Sequence, residues 1–174
     1  MSADITLVLG GARSGKSRYA EGLAAAAPGP RIYIATARVW DGEMAERVSR
    51  HRQDRGSGWL TVEEPLDLCG ALRRHAAAGT AVLVDCLTLW LTNLMMAEAD
   101  VAARTDGLLE TLAAVEGRVV LVSNEVGLGI VPDNALARRF RDHAGRLHQA
   151  VAARATRVVF VAAGLPMILK GEGA

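Results

Sequence analysis

The chain has little of what marks several protein classes. It holds two cysteines, Cys69 and Cys86, 17 residues apart. They form no C-x-x-C pair and have no zinc-site spacing, so neither a disulfide framework nor a structural zinc is expected. Reduced thiols of a cytoplasmic protein are the plain reading. The formal net charge is only +1, which gives no sign of a nucleic-acid-binding or membrane-surface protein. The lead Met1-Ser2-Ala3-Asp4 carries no basic segment and no cleavage site, so no secretory leader is expected. The one long apolar stretch, 80–97, is interrupted by Asp85 and Asn93, and its first half is β-branched. It predicts a buried strand running into a helix and no membrane span. No internal repeat, low-complexity segment or linker is present. A single domain over 1–174 is expected, and with 51% hydrophobic residues it can bury a real core.

Short apolar, β-branched runs recur at 5–9, 31–36, 81–86, 118–123 and 156–162, as strands covered on both faces require. Helical stretches separate them, at roughly 16–27, 41–55, 66–78, 88–115 and 134–154. The alternation predicts an α/β fold with right-handed crossovers and a mostly parallel sheet. The 88–115 stretch is expected to break near Asp106-Gly107. Asp133-Asn134 reads as an N-cap, and Gly164-Leu165-Pro166 as a turn into a short edge strand over 167–170. Residues 87–96 are apolar almost all round, which fits either a deeply buried helix or a subunit interface around Trp90 and Leu94.

Residues 10–17 read Gly-Gly-Ala-Arg-Ser-Gly-Lys-Ser, directly after the first strand and before the first helix. This is G-x-x-x-x-G-K-[ST], which arises by chance in about 0.6% of chains this long at average usage, so it carries weight alone. Glycines admit close backbone approach, successive N–H groups wrap a phosphate chain, Lys16 adds a positive charge, and the Ser17 hydroxyl can sit on Mg²⁺. The segment therefore reads as a P-loop for a nucleoside triphosphate, with Arg13 a second cation.

In open α/β sheets, ligands bind at the carboxyl ends of the strands. Besides the loop, the strands deliver Thr36-Ala37-Arg38, Asp85 and the segment Asn124–Gly129 to that edge. Asp85 ends an apolar strand, where a carboxylate can hold a metal-bound water or else cap the next helix. In 41–55, Asp41 can cap a helix on which Met44, Val48 and His51 share a face, with Arg47, Arg50, Arg52 and Arg55 around them. By spacing alone this is a basic solvated helix with an incidental histidine, although arginines also suit phosphate binding. Trp59 and Glu63-Glu64 follow, read as a loop. Two glycines and a proline in 123–134 imply a shaped loop carrying Glu125, a possible lid or substrate contact. His75, His143 and His148 lack a partner cluster and read as core or surface histidines.

Three segments together resemble one family: GGARSGKS at 10–17, YIATA…D-x-EM…R-V-x-x-HR…W-x-T-x-E at 33–63, and SNEVGLGIVP at 123–132. They are similar to the bifunctional adenosylcobinamide kinase / adenosylcobinamide-phosphate guanylyltransferases of cobalamin assembly, in order and over almost the whole chain. The resemblance implies a P-loop NTPase (RecA-like) three-layer α/β fold and a homotrimer. It implies phosphorylation of adenosylcobinamide by ATP or GTP, then GMP transfer from GTP through a GMP–histidine intermediate, with Mg²⁺. The matching histidine is His51. The implied nucleotide contacts are Gly10, Gly11, Ala12, Arg13, Ser14, Gly15, Lys16 and Ser17, then Thr36, Ala37 and Arg38, then Arg52, Gln53 and Asp54, then Glu63 and Asp85. Lys16 joins His51 as catalytic, and Ser17 with Asp85 hold the metal. Partners are then the corrinoid and nucleoside triphosphates, with no nucleic acid and no membrane. Two other readings remain at this level: a P-loop kinase for another small molecule with His51 a bystander, and a non-enzymatic nucleotide-dependent switch.

Overall fold

The computed structural model describes residues 4–38 and 58–172. Its strands and helices alternate in chain order: β1 (Ile5–Gly10), α1 (Lys16–Ala25), β2 (Arg31–Ala35), β3 (Trp59–Glu63), α2 (Leu68–His75), β4 (Ala81–Asp85), α3 (Leu87–Met96), α4 (Val101–Ala114), β5 (Arg118–Asn124), α5 (Ala135–Arg154), β6 (Arg157–Ala162) and β7 (Leu165–Lys170). The strands form one seven-stranded sheet in the order β3-β2-β4-β5-β1-β6-β7. Every pairing is parallel except β6 with β7, which is antiparallel. The expected short antiparallel edge strand near the C-terminus is therefore present, and it starts at Leu165. Pro166 sits in it opposite Val161, on an edge where a missing N–H breaks no inner ladder.

The inner strands are apolar on both faces because both faces are covered. One face packs Leu7, Ile34, Val84 and Leu121 against α2, α3, α4 and α5. The other packs Val8, Leu83, Val122 and Val161 against Ala20 and Ala24 of α1, which lies across β4, β5, β1 and β6. Small alanines at i and i+4 let α1 approach the sheet closely.

Two expectations are corrected. Residues 59–63, read as a loop, form the edge strand β3, paired with β2 from Arg31↔Trp59 to Ala35↔Glu63. Its residues are half-buried or exposed, Leu60 being 56% exposed, so it lacks the continuous apolar run of an inner strand. The long helical stretch breaks at residues 97–100, not near Asp106-Gly107. Glu98 takes a positive φ of 53°, and the Asp100 carboxylate caps α4 by accepting from the Ala103 N–H at 3.0 Å. Gly107 stays inside the helix, where a Cβ would come within 4.0 Å of Cys69 Sγ on α2. Asn134 does cap α5, accepting from the Ala137 N–H at 2.7 Å.

Of the two readings of 87–96, the buried helix holds. Trp90 and Leu94 are 1% and 0% exposed, and the Trp90 indole N–H donates to the Leu66 carbonyl at 3.0 Å. Among the described residues, no helix is long and apolar enough to cross a membrane.

Leu121 lies in the middle of β5, fully buried between β4 and β1. Leu121→Ala is expected to cost about 2–5 kcal/mol of folding stability. Urea denaturation should show it as a lower midpoint at unchanged slope.

Candidate active site

The P-loop is shaped by what cannot fit in it. A Cβ at Gly10 would lie 2.5 Å from Ser14 Oγ and 2.6 Å from the Val161 carbonyl oxygen. Gly15 has φ +92°, a region that L side chains avoid, and a Cβ there would come within 3.1 Å of Gly164 Cα. Gly15 is the N-cap of α1 and offers no capping side chain. The first N–H groups of the helix are thus left to an anion. Lys16 is 8% exposed, with its stem buried and its Nζ donating to the Gly11 carbonyl at 3.0 Å across the loop. Ser14 binds outward through its backbone, its carbonyl accepting from the Gly164 N–H at 2.8 Å. Ala12 and Arg13 are exposed, while Gly11 and Ser17 are half-buried. A triphosphate fits this geometry: a backbone turn that a Cβ at either glycine would force apart, an uncapped helix start and one lysine folded across the loop.

The next strand ends make a second wall. Thr36, after β2, is fully buried. Its hydroxyl accepts from the Cys86 N–H at 2.8 Å and donates to the Cys86 carbonyl at 2.7 Å, and its own N–H donates to the Asp85 carbonyl at 3.2 Å. Asn93 of α3 closes the brace, its amide donating to the carbonyls of Thr36 at 2.7 Å and Pro65 at 3.0 Å. The Thr36 hydroxyl is thereby committed to holding the end of β4, and Ala37 and Arg38 follow it half-buried at the edge. Asp85 stands at that end, its Oδ2 accepting from the Tyr33 hydroxyl at 3.1 Å. Glu63 ends β3 beside Ala35, exposed. His51, Arg52, Gln53 and Asp54, with the rest of the expected 41–55 helix, lie outside the described residues.

Cys86 shares this neighbourhood. Burial, and after it the charge of Asp85, pushes its thiol up to about 11, with Lys16 opposing in part. Its Sγ lies 3.0 Å from Thr88 Oγ1, which also accepts from the Asn124 side chain at 3.0 Å. The Glu125 N–H donates to the Gly10 carbonyl at 2.9 Å, tying the end of β5 to the start of the P-loop. The Glu125 carboxylate turns onto its own loop, accepting from the N–H groups of Gly127 at 2.7 Å and Leu128 at 3.1 Å. Behind it, Ser123 Oγ lies 2.7 Å from His148 Nε2. Burial holds His148 below its usual range, against the charge of Glu125.

Tyr33, Thr88 and Asn93 were not singled out by sequence reasoning. Asn93 left one usable signal: an amide inside an apolar helix must find partners. Among the described residues, no three His, Cys, Asp or Glu side chains cluster as a metal site. What the edge offers is the Ser17 hydroxyl and the Asp85 carboxylate, hard oxygen donors that suit a Mg²⁺ keeping most of its waters.

Comparison with known proteins agrees with this geometry. A family model, cobinamide kinase / cobinamide phosphate guanyltransferase, matches residues 6–169. The chain is 57% identical over 170 residues to the bifunctional adenosylcobalamin biosynthesis protein CobP of Pseudomonas aeruginosa, covering 95% of this chain and 97% of that protein. It is 42% identical over 179 residues to CobU of Salmonella typhimurium, named likewise, covering 94% and 98%. Among solved structures, the P4 protein of bacteriophage phi6 in complex with ADP aligns at TM-score 0.53 and 18% identity, over 94% of this chain and about half (52%) of that one. The RadB recombinase aligns at 0.53 and 15%, over 90% and 73%. These two likenesses show the fold, that of P-loop NTPases.

Two outcomes follow from the wall of the site. Thr36→Val should cost about 1–3 kcal/mol by stranding the Cys86 N–H and carbonyl, and Thr36→Ser should keep most of it, as read by urea denaturation. Burial pushes the Cys86 thiol up to about 11, so little of it is the reactive thiolate at pH 8. Iodoacetamide should therefore modify the half-buried Cys69 at least tenfold faster than Cys86, until denaturant removes the difference, as followed by peptide mass spectrometry.

Proposed function

The chain belongs to the cobinamide kinase / cobinamide phosphate guanyltransferase family, and from that premise we propose how one phosphate cradle serves both of its reactions. It is a bifunctional enzyme of cobalamin biosynthesis, kinase and nucleotidyltransferase, like its relatives. The observation that carries the proposal is the glycine-shaped loop with Lys16 folded across it, at the same end of the sheet as Asp85 of β4.

In the kinase step the loop N–H groups and Lys16 hold the phosphates of ATP or GTP. The substrate hydroxyl oxygen bonds to the γ-phosphorus, the bond to the β–γ bridging oxygen breaks, and the nucleoside diphosphate leaves with that electron pair. The transition state is loose, so the hydroxyl proton is lost late, to solvent, and no strong base is required. Ser17 and Asp85 would hold Mg²⁺, whose contribution when bound is to neutralise charge on the phosphate oxygens.

In the second step the His51 imidazole nitrogen bonds to the α-phosphorus of GTP, and pyrophosphate leaves as the α–β bridging bond breaks. An oxygen of cobinamide phosphate then bonds to that phosphorus, and the P–N electron pair returns to the imidazole. His51 must be neutral to attack, as an unperturbed imidazole mostly is above its pKa of about 6.5. Arginines are abundant in this stretch of sequence and suit developing phosphate charge. A covalent intermediate divides one hard transfer into two. Ala37, Arg38, Arg52, Gln53, Asp54, Glu63 and Asp85 form the guanine-nucleotide side of the site in this reading, and Thr36, buried with its hydroxyl and backbone committed to the brace, holds the end of β4 for them.

The working form is a homotrimer of single P-loop domains in the cytoplasm. Exposed apolar side chains on β7, Leu165, Met167 and Leu169, suit a subunit contact, and free cysteines suit a reducing compartment. Incubation with GTP labelled at the α-phosphate should leave acid-labile, base-stable label on the protein, and γ-labelled GTP should leave none. His51→Ala should abolish the label while the kinase step survives. If α-label reached neither the protein nor the corrinoid, the two-step reading would fail.

A further inference from the structure

A groove of about 490 Å³ runs along α1, lined by Gly15, Arg18, Tyr19, Gly22, Leu23 and Gly164. These helix positions fall at i, i+3, i+4, i+7 and i+8, one stripe of α1. The stripe lies beside the Lys16, Ala20 and Ala24 stripe that faces the sheet. Three glycines keep the groove open. Gly15 and Gly164 approach so closely that a Cβ at 15 would wedge between the loop and the β6–β7 turn, whereas a Cβ at Gly22 would meet nothing within 4 Å. A glycine inside a helix is destabilising relative to alanine, and here it leaves flat, bare backbone facing open space. Tyr19 is half-buried against the core, and Arg18 is exposed with no hydrogen bond or ion pair among the described residues.

We infer that this groove holds the nucleoside of the triphosphate used in the kinase step, on the opposite flank of the P-loop from the guanine-nucleotide residues. The volume suits a nucleoside and is too small for a corrin macrocycle. The groove begins at Gly15, the last loop residue before Lys16, so a base lying there is joined directly to phosphates in the cradle. Sheet order separates the two flanks. Thr36–Arg38, Glu63 and Asp85 follow strands on the β5 side of β1, and Gly164 follows β6 on the other side. A triphosphate entering from the α1 groove lays its γ-phosphorus toward the Asp85 flank. A GTP whose base lies on the Asp85 flank keeps its α-phosphorus there. Both reacting phosphorus atoms then fall on the same side of the loop, and one acceptor site serves both transfers.

The inference rests on the two-step reading above, so its test separates the two. Photolabelling of the whole protein with 2-azido-ATP should mark the tryptic peptide Tyr19–Arg31. Gly22→Trp, which fills the groove without a clash at Cβ, should abolish that label and raise the kinase KM for ATP at least tenfold. Protein labelling by α-labelled GTP should stay within twofold. Gly22→Ser, small enough to leave the groove open, should behave as wild type. The inference is overturned if azido-ATP labels only other peptides, if Gly22→Trp leaves the KM for ATP within twofold, or if both transfers fall together. A wild-type protein that binds azido-ATP in the groove yet phosphorylates no cobinamide would overturn the functional reading and leave the nucleoside site standing.

Discussion

The active edge is organised by the close passage of backbone at Gly10. There β1 turns into the P-loop while its carbonyl accepts from Glu125 and its Cα faces both Ser14 and the Val161 carbonyl. Any side chain at 10 would push the loop away from β6, and with it the Gly164 N–H that binds the Ser14 carbonyl. Three segments distant in sequence, 10–15, 124–128 and 161–164, therefore hold one another in place without a salt bridge. Backbone hydrogen bonds of this kind are worth little individually in net stability, but leaving them unmade inside a protein is costly. That cost fixes the cradle before any ligand arrives, which is what a site that stabilises developing charge requires.

The sheet is covered unevenly. Among the described residues, one face carries four helices and a large aliphatic core, while the other carries α1 over a smaller core rich in alanines and valines. The thick side supplies the braces: Asn93 from α3 reaches Thr36, and His148 from α5 reaches Ser123. The thin side supplies the phosphate-binding helix and its open groove. Rigidity and access are thus assigned to opposite faces of one sheet, and strand ends carry the result of both to the same edge.

Much of this was legible in the sequence because parallel strands buried on both faces must be apolar and β-branched, and glycines of a phosphate loop recur at fixed offsets. The five inner strands and the P-loop followed from those two constraints. Edge elements escaped them: β3 has Leu60 and Glu63 facing out and reads like a turn, and its pairing with β2 becomes visible only in space. The break between α3 and α4 was misplaced because Gly107 is a stronger punctuation mark on paper than Glu98, yet the Asp100 cap decides where the helix restarts. The brace around Asp85 could not be read either. Thr36 and Asn93 are 57 residues apart, and nothing in composition says that a buried threonine hydroxyl will serve two backbone groups of Cys86. His51 was singled out only through resemblance, since by spacing alone it was one histidine on a basic stretch.

The charge balance of the site follows from the same brace. Lys16 and Asp85 carry the formal charges that flank Cys86, a thiol that is 4% exposed. Were that thiol to ionise, a thiolate beside Lys16 would cancel the cation meant for phosphate and add repulsion to Asp85. Burial, and after it the aspartate, pushes it up to about 11, which favours the neutral thiol near neutral pH. The Thr36 and Asn93 bonds that hold the end of β4 in place keep Cys86 buried and the carboxylate beside it. Holding Asp85 and suppressing a competing anion next to the phosphate-binding lysine are therefore one structural act.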